Sequence, residues 1–133
     1  MQRRGIVDLG SNTARLVDYL MEPGEWYRLA HQIRQPVRLG QGLGEDGLIS
    51  EKAMRRAEKA LELFAQYATS TGLGRLEVLG TSALRDAANR DEFLDRVSGL
   101  DLDVQVLSGE DEARLGVLAV ANGFDLEDAA VMD

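Results

Sequence analysis

The chain has 133 residues, 44% apolar and 29% charged, which is the composition of one ordinary globular domain able to bury a core; no stretch approaches the roughly 20 apolar residues of a membrane span. With no cysteine and the single His31, disulfide frameworks, thiol nucleophiles, cysteine zinc sites and histidine metal clusters are excluded, so a metal would be held by oxygens. The net charge of -8 sits at one end, where nine acidic residues between Gly99 and Asp133 face Arg114 alone.

Thirteen of the fifteen basic residues are arginines, several beside glycine-rich turns, which suits forked contacts to discrete oxyanions and argues against general nucleic-acid binding. Met1-Gln2-Arg3-Arg4 runs straight into Gly5-Ile6-Val7-Asp8 without an apolar signal segment, so the expected location is the cytoplasm.

Gly5–Leu9 and Ala14–Leu20 are apolar runs split by Gly10-Ser11-Asn12 and predict a hairpin. After Pro23-Gly24, Glu25 to Ile33 predicts a third strand, and Arg38 to Gly47 is glycine-rich loop. Ser50 is placed to cap a helix whose apolar positions Met54, Ala57, Leu61, Phe64 and Ala68 recur at steps of three and four, ending at Gly72 and Gly74. Leu76 to Leu79 predicts a strand, followed by a helix capped by Thr81 or Ser82 through Arg85 and more helix from Asp91 to Val97. Leu102 to Leu107 alternates as a strand, Gly109 to Ala121 as a helix stopped by Asn122-Gly123, and Ala129 to Met132 begins another strand. Three meandering strands followed by helix and strand alternation predict an α/β fold with a mixed sheet and flanking helices. Strands joined through helices run parallel, which brings their carboxyl ends to one edge.

Three segments at those strand ends carry chemistry. Asp8-Leu9-Gly10-Ser11-Asn12-Thr13-Ala14-Arg15 can aim amides and a hydroxyl at a phosphate with an aspartate beside a hydrated cation, although by spacing alone these ordinary turn residues read first as the closure of the hairpin. Gly80-Thr81-Ser82-Ala83-Leu84-Arg85 offers hydroxyls, a helix start and a guanidinium fork, or simply a cap. In Ser108-Gly109-Glu110-Asp111-Glu112-Ala113-Arg114, Ser108 with Asp111 fits a capping box; Glu112 is less needed there and can deprotonate a water attacking phosphorus.

Together, and in this order, these segments resemble the N-terminal domain of the exopolyphosphatase and guanosine pentaphosphate phosphohydrolase family, within the actin, Hsp70 and sugar kinase superfamily. Ile6 to Leu16 resembles its first phosphate loop, Arg38-Leu39-Gly40 with Gly42-Leu43-Gly44 its following loop, and Gly80–Arg85 and Ser108–Leu115 its next two signatures. The resemblance implies a ribonuclease H-like fold with a five-stranded mixed sheet. It also implies Mg2+-assisted hydrolysis of a terminal phosphoanhydride, from inorganic polyphosphate or from the 5′ end of guanosine pentaphosphate. It assigns Glu112 as the base, Gly10, Ser11, Asn12, Arg15, Thr81 and Arg85 to phosphate, and Asp8 and Asp133 to the metal. Asp111-Glu112 stands where the family usually has two adjacent glutamates. Family members continue past an aspartate like Asp133 into a second phosphate loop and domain. Residues 1–128 are therefore expected to form the N-terminal domain and 129–133 the first strand of a truncated second one, with a fragment that hydrolyses little and whose apolar wall allows a homodimer. A non-hydrolytic ATP-binding module and an interaction domain of the same superfamily are the alternatives.

Overall fold

The computed structural model describes residues 1–44 and 46–123. Its elements are β1 (Gln2–Leu9), β2 (Thr13–Glu22), β3 (Trp26–Pro36), α1 (Glu51–Thr71), β4 (Leu76–Gly80), α2 (Ser82–Asp86), α3 (Arg90–Val97), β5 (Leu102–Val106) and α4 (Gly109–Gly123). One five-stranded sheet has the order β3-β2-β1-β4-β5, antiparallel through β3, β2 and β1 and parallel through β1, β4 and β5, as the alternation of elements predicts. The expected strand at Ala129 to Met132 and the boundary at residue 128 lie outside the described residues. No helix among the described residues is long and apolar enough to cross a membrane.

Differences from the expected elements fall where main-chain pairing outruns the apolar pattern. β1 begins at Gln2 because Gln2, Arg3 and Arg4 pair with Met21, Leu20 and Tyr19, and β3 extends to Pro36 because Arg34, Gln35 and Pro36 pair with Arg15, Ala14 and Thr13. Pro36 is tolerated there because β3 is an edge strand. The expected stop at Asn122 is passed, since α4 runs through it to Gly123.

The core lies on one face of the sheet. Val7 and Leu9 of β1, Ala14 and Leu16 of β2, and Leu76 and Val78 of β4 alternate inward against the α1 stripe of Met54, Ala57, Leu61 and Phe64. Ser50 caps α1 by accepting from the Ala53 amide at 3.1 Å, and Gly72 ends it in the left-handed region at φ 68°. At the far end of the sheet, buried Asp18 accepts from Arg3 Nε (3.0 Å) and Nη2 (2.6 Å) and from the Tyr67 hydroxyl (3.0 Å), while Arg3 Nη1 donates to the Thr71 carbonyl at 2.7 Å. This network ties β1 and β2 to the end of α1.

The hydrogen bonds from Arg3 outweigh burial and hold the Asp18 carboxyl below its ordinary range. A lowered folded-state pKa contributes stability above the unfolded value of about 3.9, which is lost as pH falls through the folded value. Breaking a buried pair costs about 3–5 kcal/mol, and the Arg3 side chain, 32% exposed, recovers part of its hydration. Asp18→Asn is therefore expected to lose about 2–3 kcal/mol at neutral pH in urea unfolding. Its curve should begin to approach the wild-type curve as pH falls below about 4 and meet it only below the lowered folded-state value; a gap that stays constant with pH would mean that packing, and not charge, is responsible.

Candidate active site

Because β1, β4 and β5 run parallel, their carboxyl ends share one rim, and the three chemistry-bearing segments leave from it. Gly80 brings α2 close to β4: a Cβ there would stand 2.6 Å from Leu84 Cδ2. The turn after β1 is clamped from one side. The Gly40 amide donates to the Ser11 carbonyl at 3.1 Å, and those of Val37 and Arg38 donate to the Asn12 carbonyl at 2.9 and 3.0 Å. In a trans peptide the carbonyl of one residue opposes the amide of the next, so this clamp turns the Asn12 amide away from the loop. Among the described residues the Ser11 and Asn12 amides have no acceptor, which leaves donors available to an anion. The Gly10 amide is committed to the Thr13 carbonyl at 3.1 Å and serves the turn.

Helix α2 links this turn to α4. Ser82 Oγ lies 2.8 Å from Ser11 Oγ, and one turn later Arg85 Nη1 donates to Glu112 Oε2 at 2.9 Å and to the Leu107 carbonyl at 3.2 Å. Thr81 stands at the N-cap position of α2, as expected, and its carbonyl accepts from the Arg85 amide at 2.9 Å, but its side chain makes no capping bond. Its hydroxyl donates instead to the Leu9 carbonyl at 3.4 Å, and the Ser82 hydroxyl pairs with Ser11. At α4, Ser108 Oγ accepts from the Asp111 amide at 3.0 Å, the first half of the expected capping box.

On the sheet face opposite the core, Asp8, Arg15, Thr81 and Glu112 line one cleft of about 330 Å³, walled by Ile6, Leu79 and Leu115. Asp8 and Arg15 are cross-strand partners. Asp8 reaches solvent at the cleft mouth, yet the atoms crowding it strip enough water to raise its carboxyl pKa, a shift opposed by Arg15 and reinforced by Glu112. Arg85 is held more firmly protonated by its hydrogen bond to Glu112, with Asp86 adding to the effect. Glu112 offers Oε2 to Arg85, whereas Oε1 has no protein donor among the described residues.

Ser11 and Asn12 open instead onto an adjoining surface depression with Arg38, Gly40 and Gln41. Of the residues expected at the site, Asp8, Arg15, Thr81 and Glu112 line the cleft and Ser11 and Asn12 the depression, whereas Gly10 and Arg85 line neither, Gly10 holding the turn and Arg85 meeting the cleft through Glu112; Asp133 lies outside the described residues. Two contacts escape a reading of the sequence: the pairing of Ser82 with Ser11, since the sequence marks the Ser82 hydroxyl but not its partner, and the bond from Arg85 to the Leu107 carbonyl, which has no sequence signal because the acceptor is main-chain.

A model of the Ppx/GppA phosphatase family matches residues 21–133, most of the chain. The chain belongs to the Ppx/GppA phosphatase family. The guanosine-5′-triphosphate,3′-diphosphate pyrophosphatase of Photobacterium profundum is 37% identical over 123 residues, which are 90% of this chain and 24% of that relative. The Ppx/GppA enzyme of Aquifex aeolicus superposes with a TM-score of 0.84 at 28% identity, over 92% of this chain and 41% of that one. An exopolyphosphatase from Cytophaga hutchinsonii superposes with a TM-score of 0.79 at 30% identity, over 89% and 39%. The Ppx/GppA relationship carries the expected ribonuclease H-like, actin-like fold with it, and the chain spans about a quarter of the curated relative's length and about two fifths of the solved structures'.

Proposed function

We infer that this domain supplies one wall of a phosphohydrolase site, cleaving the terminal phosphoanhydride of inorganic polyphosphate or the 5′ phosphate of guanosine pentaphosphate, in the cytoplasm. The observation that carries this reading is the bridge through α2, which sets the Ser11 turn and Glu112 on one rim through side-chain hydrogen bonds of Ser82 and Arg85, one helical turn apart. Free amides at Ser11 and Asn12 receive phosphate oxygens, Arg85 spreads its fork over the phosphate chain, and Arg15 adds charge from the adjoining strand. Glu112 takes the proton of the attacking water on Oε1 while Arg85 fixes the carboxylate through Oε2.

Among the described residues no three acidic or histidine side chains are arranged to hold a metal ion by themselves. The donor set fits Mg2+, which is commonly held by one or two carboxylates with waters and substrate phosphates; Asp8 would hold it here, with Asp133 proposed as a second ligand. When bound, the ion neutralises charge on the phosphate oxygens.

Phosphoryl transfer needs donors on both sides of the reacting group, and losing a single preorganised donor costs about 10²–10³ in rate. The 133-residue chain alone is expected to release phosphate at least about 100-fold more slowly than a longer protein joining it to the rest of a family member. Both are assayed on polyphosphate and on guanosine pentaphosphate, with and without Mg2+. Comparable release by the isolated chain would overturn the one-wall reading, and release of phosphate by neither protein would overturn the function.

A further inference from the structure

The Ser11 hydroxyl is held from behind. Its Oγ lies 2.8 Å from Ser82 Oγ, and neither hydroxyl has another hydrogen-bond partner among the described residues. Ser11 lines the depression with Asn12, Arg38, Gly40 and Gln41, whereas Ser82 lines neither that depression nor the cleft, so a ligand in either hollow meets Ser82 only through Ser11. Gly40 flanks the same side chain: a Cβ there would stand 3.5 Å from Ser11 Cβ and 4.0 Å from its Oγ.

Both serines have rigid mounts. Beside Ser82, Ala83 and Leu84 are buried in the core, the Thr81 amide donates to the Leu9 carbonyl at 3.2 Å, and Arg85 is tied to the Leu107 carbonyl and to Glu112. On the other side, the amides of Val37, Arg38 and Gly40 clamp the carbonyls of Ser11 and Asn12. What stays free is the hydroxyl pair itself.

Two hydroxyls at this distance make one hydrogen bond, and its direction matters. A serine hydroxyl has one proton to donate and two lone pairs that accept. If Ser11 spends its proton on Ser82, it turns only lone pairs toward the depression and repels an anion there. If Ser82 donates, the Ser11 proton points outward beside the free amides of Ser11 and Asn12, and the bond that Ser11 accepts strengthens the one it gives. Ser82 has no competing acceptor among the described residues, so donating to Ser11 leaves nothing unpaired.

We propose that Ser82 is a positioning residue for the phosphate turn: it donates to Ser11 Oγ, confines that side chain to one rotamer and directs the Ser11 proton toward a phosphate oxygen in the depression. No proton changes atoms in this arrangement. The role rests on the phosphate binding proposed above for the turn, and it adds a residue that the ligand itself does not touch.

The test titrates inorganic triphosphate into the 133-residue chain and into Ser82→Ala, Ser82→Thr, Ser11→Ala and the double variant Ser11→Ala, Ser82→Ala. The Ser11 χ1 angle is read from NMR couplings in the ligand-free proteins, and unfolding curves check that each variant stays folded. Ser82→Ala is expected to weaken triphosphate binding about fivefold and to spread Ser11 over several rotamers. Ser82→Thr keeps the hydroxyl and should restore the single rotamer and an affinity within about twofold of wild type. Ser11→Ala removes a hydrogen bond to an anion and should cost about tenfold, and adding Ser82→Ala to it should cost nothing further. Losses that add in the double variant overturn the proposal, since Ser82 would then act independently of Ser11, and so does a loss that Ser82→Thr fails to restore. Unchanged triphosphate binding in Ser82→Ala, or a Ser11 side chain that keeps one rotamer there, overturns the role of Ser82 and leaves the phosphate turn standing. If wild type binds no triphosphate, the phosphate reading of the turn falls and the role of Ser82 falls with it.

Discussion

Glu112→Gln is expected to lower turnover by about 10²–10⁴-fold while substrate affinity stays within a few-fold, in phosphate release by a longer protein joining this domain to the rest of a family member. The amide keeps the size of the carboxylate, and its oxygen still accepts from Arg85, whose bond to Glu112 is 2.9 Å. What disappears is the basicity needed to take a proton from water. Arg85→Ala provides the contrast. It removes the fork proposed for phosphate and also frees Glu112 from its anchor, so it should weaken binding and turnover together. If Glu112→Gln instead raised KM as much as it lowered kcat, the carboxylate would be part of the binding surface and not the base.

Phe64→Ala is expected to cost about 3–5 kcal/mol of stability, read as a melting temperature lower by about 10–20 °C. Phe64 is fully buried on α1, in a core that also holds Leu16, Leu61 and Val78. Shortening it to a methyl group leaves a void that close-packed neighbours fill only in part. Such a loss is a large share of the 5–15 kcal/mol typical of a domain. The same helix carries Arg56, which holds the loop at Val37, Arg38 and Gln41 and through it the Ser11–Asn12 turn, so looser packing at Phe64 should also weaken phosphate binding. A melting temperature within about 3 °C of wild type would mean that α1 is not the keystone its burial indicates. Phe64→Leu, which keeps most of the volume, is expected to lose less than half as much.

Much of this arrangement is legible in the chain because it rests on local physics. The three-and-four spacing of Met54, Ala57, Leu61 and Phe64 marks the buried face of α1, Ser50 and Gly72 mark its ends, and the alternation around Val7, Leu9, Val78 and Leu102 marks strands. Strand ends are less legible. Gln2 to Arg4 and Arg34 to Pro36 are polar, and only pairing with β2 makes them strand. Thr81 and Ser82 read as caps since hydroxyls beside a helix start usually are; their actual partners, Leu9 and Ser11, come from a strand end and turn about 70 residues away.

By itself the sequence determined which residues are candidates for chemistry at this rim: a glycine-bounded turn with Ser11 and Asn12, an arginine one turn into a helix, and a glutamate at the start of another. It also determined the α/β order, since periodicity and turn residues act within a few positions of chain. Tertiary structure alone decided that Ser82 meets Ser11, that Arg85 meets Glu112, and that Glu51 and Glu58 turn to Arg96. Those pairings depend on the parallel register of β1, β4 and β5, a long-range choice fixed by burying one face of the central strands against the helices, which no local pattern encodes.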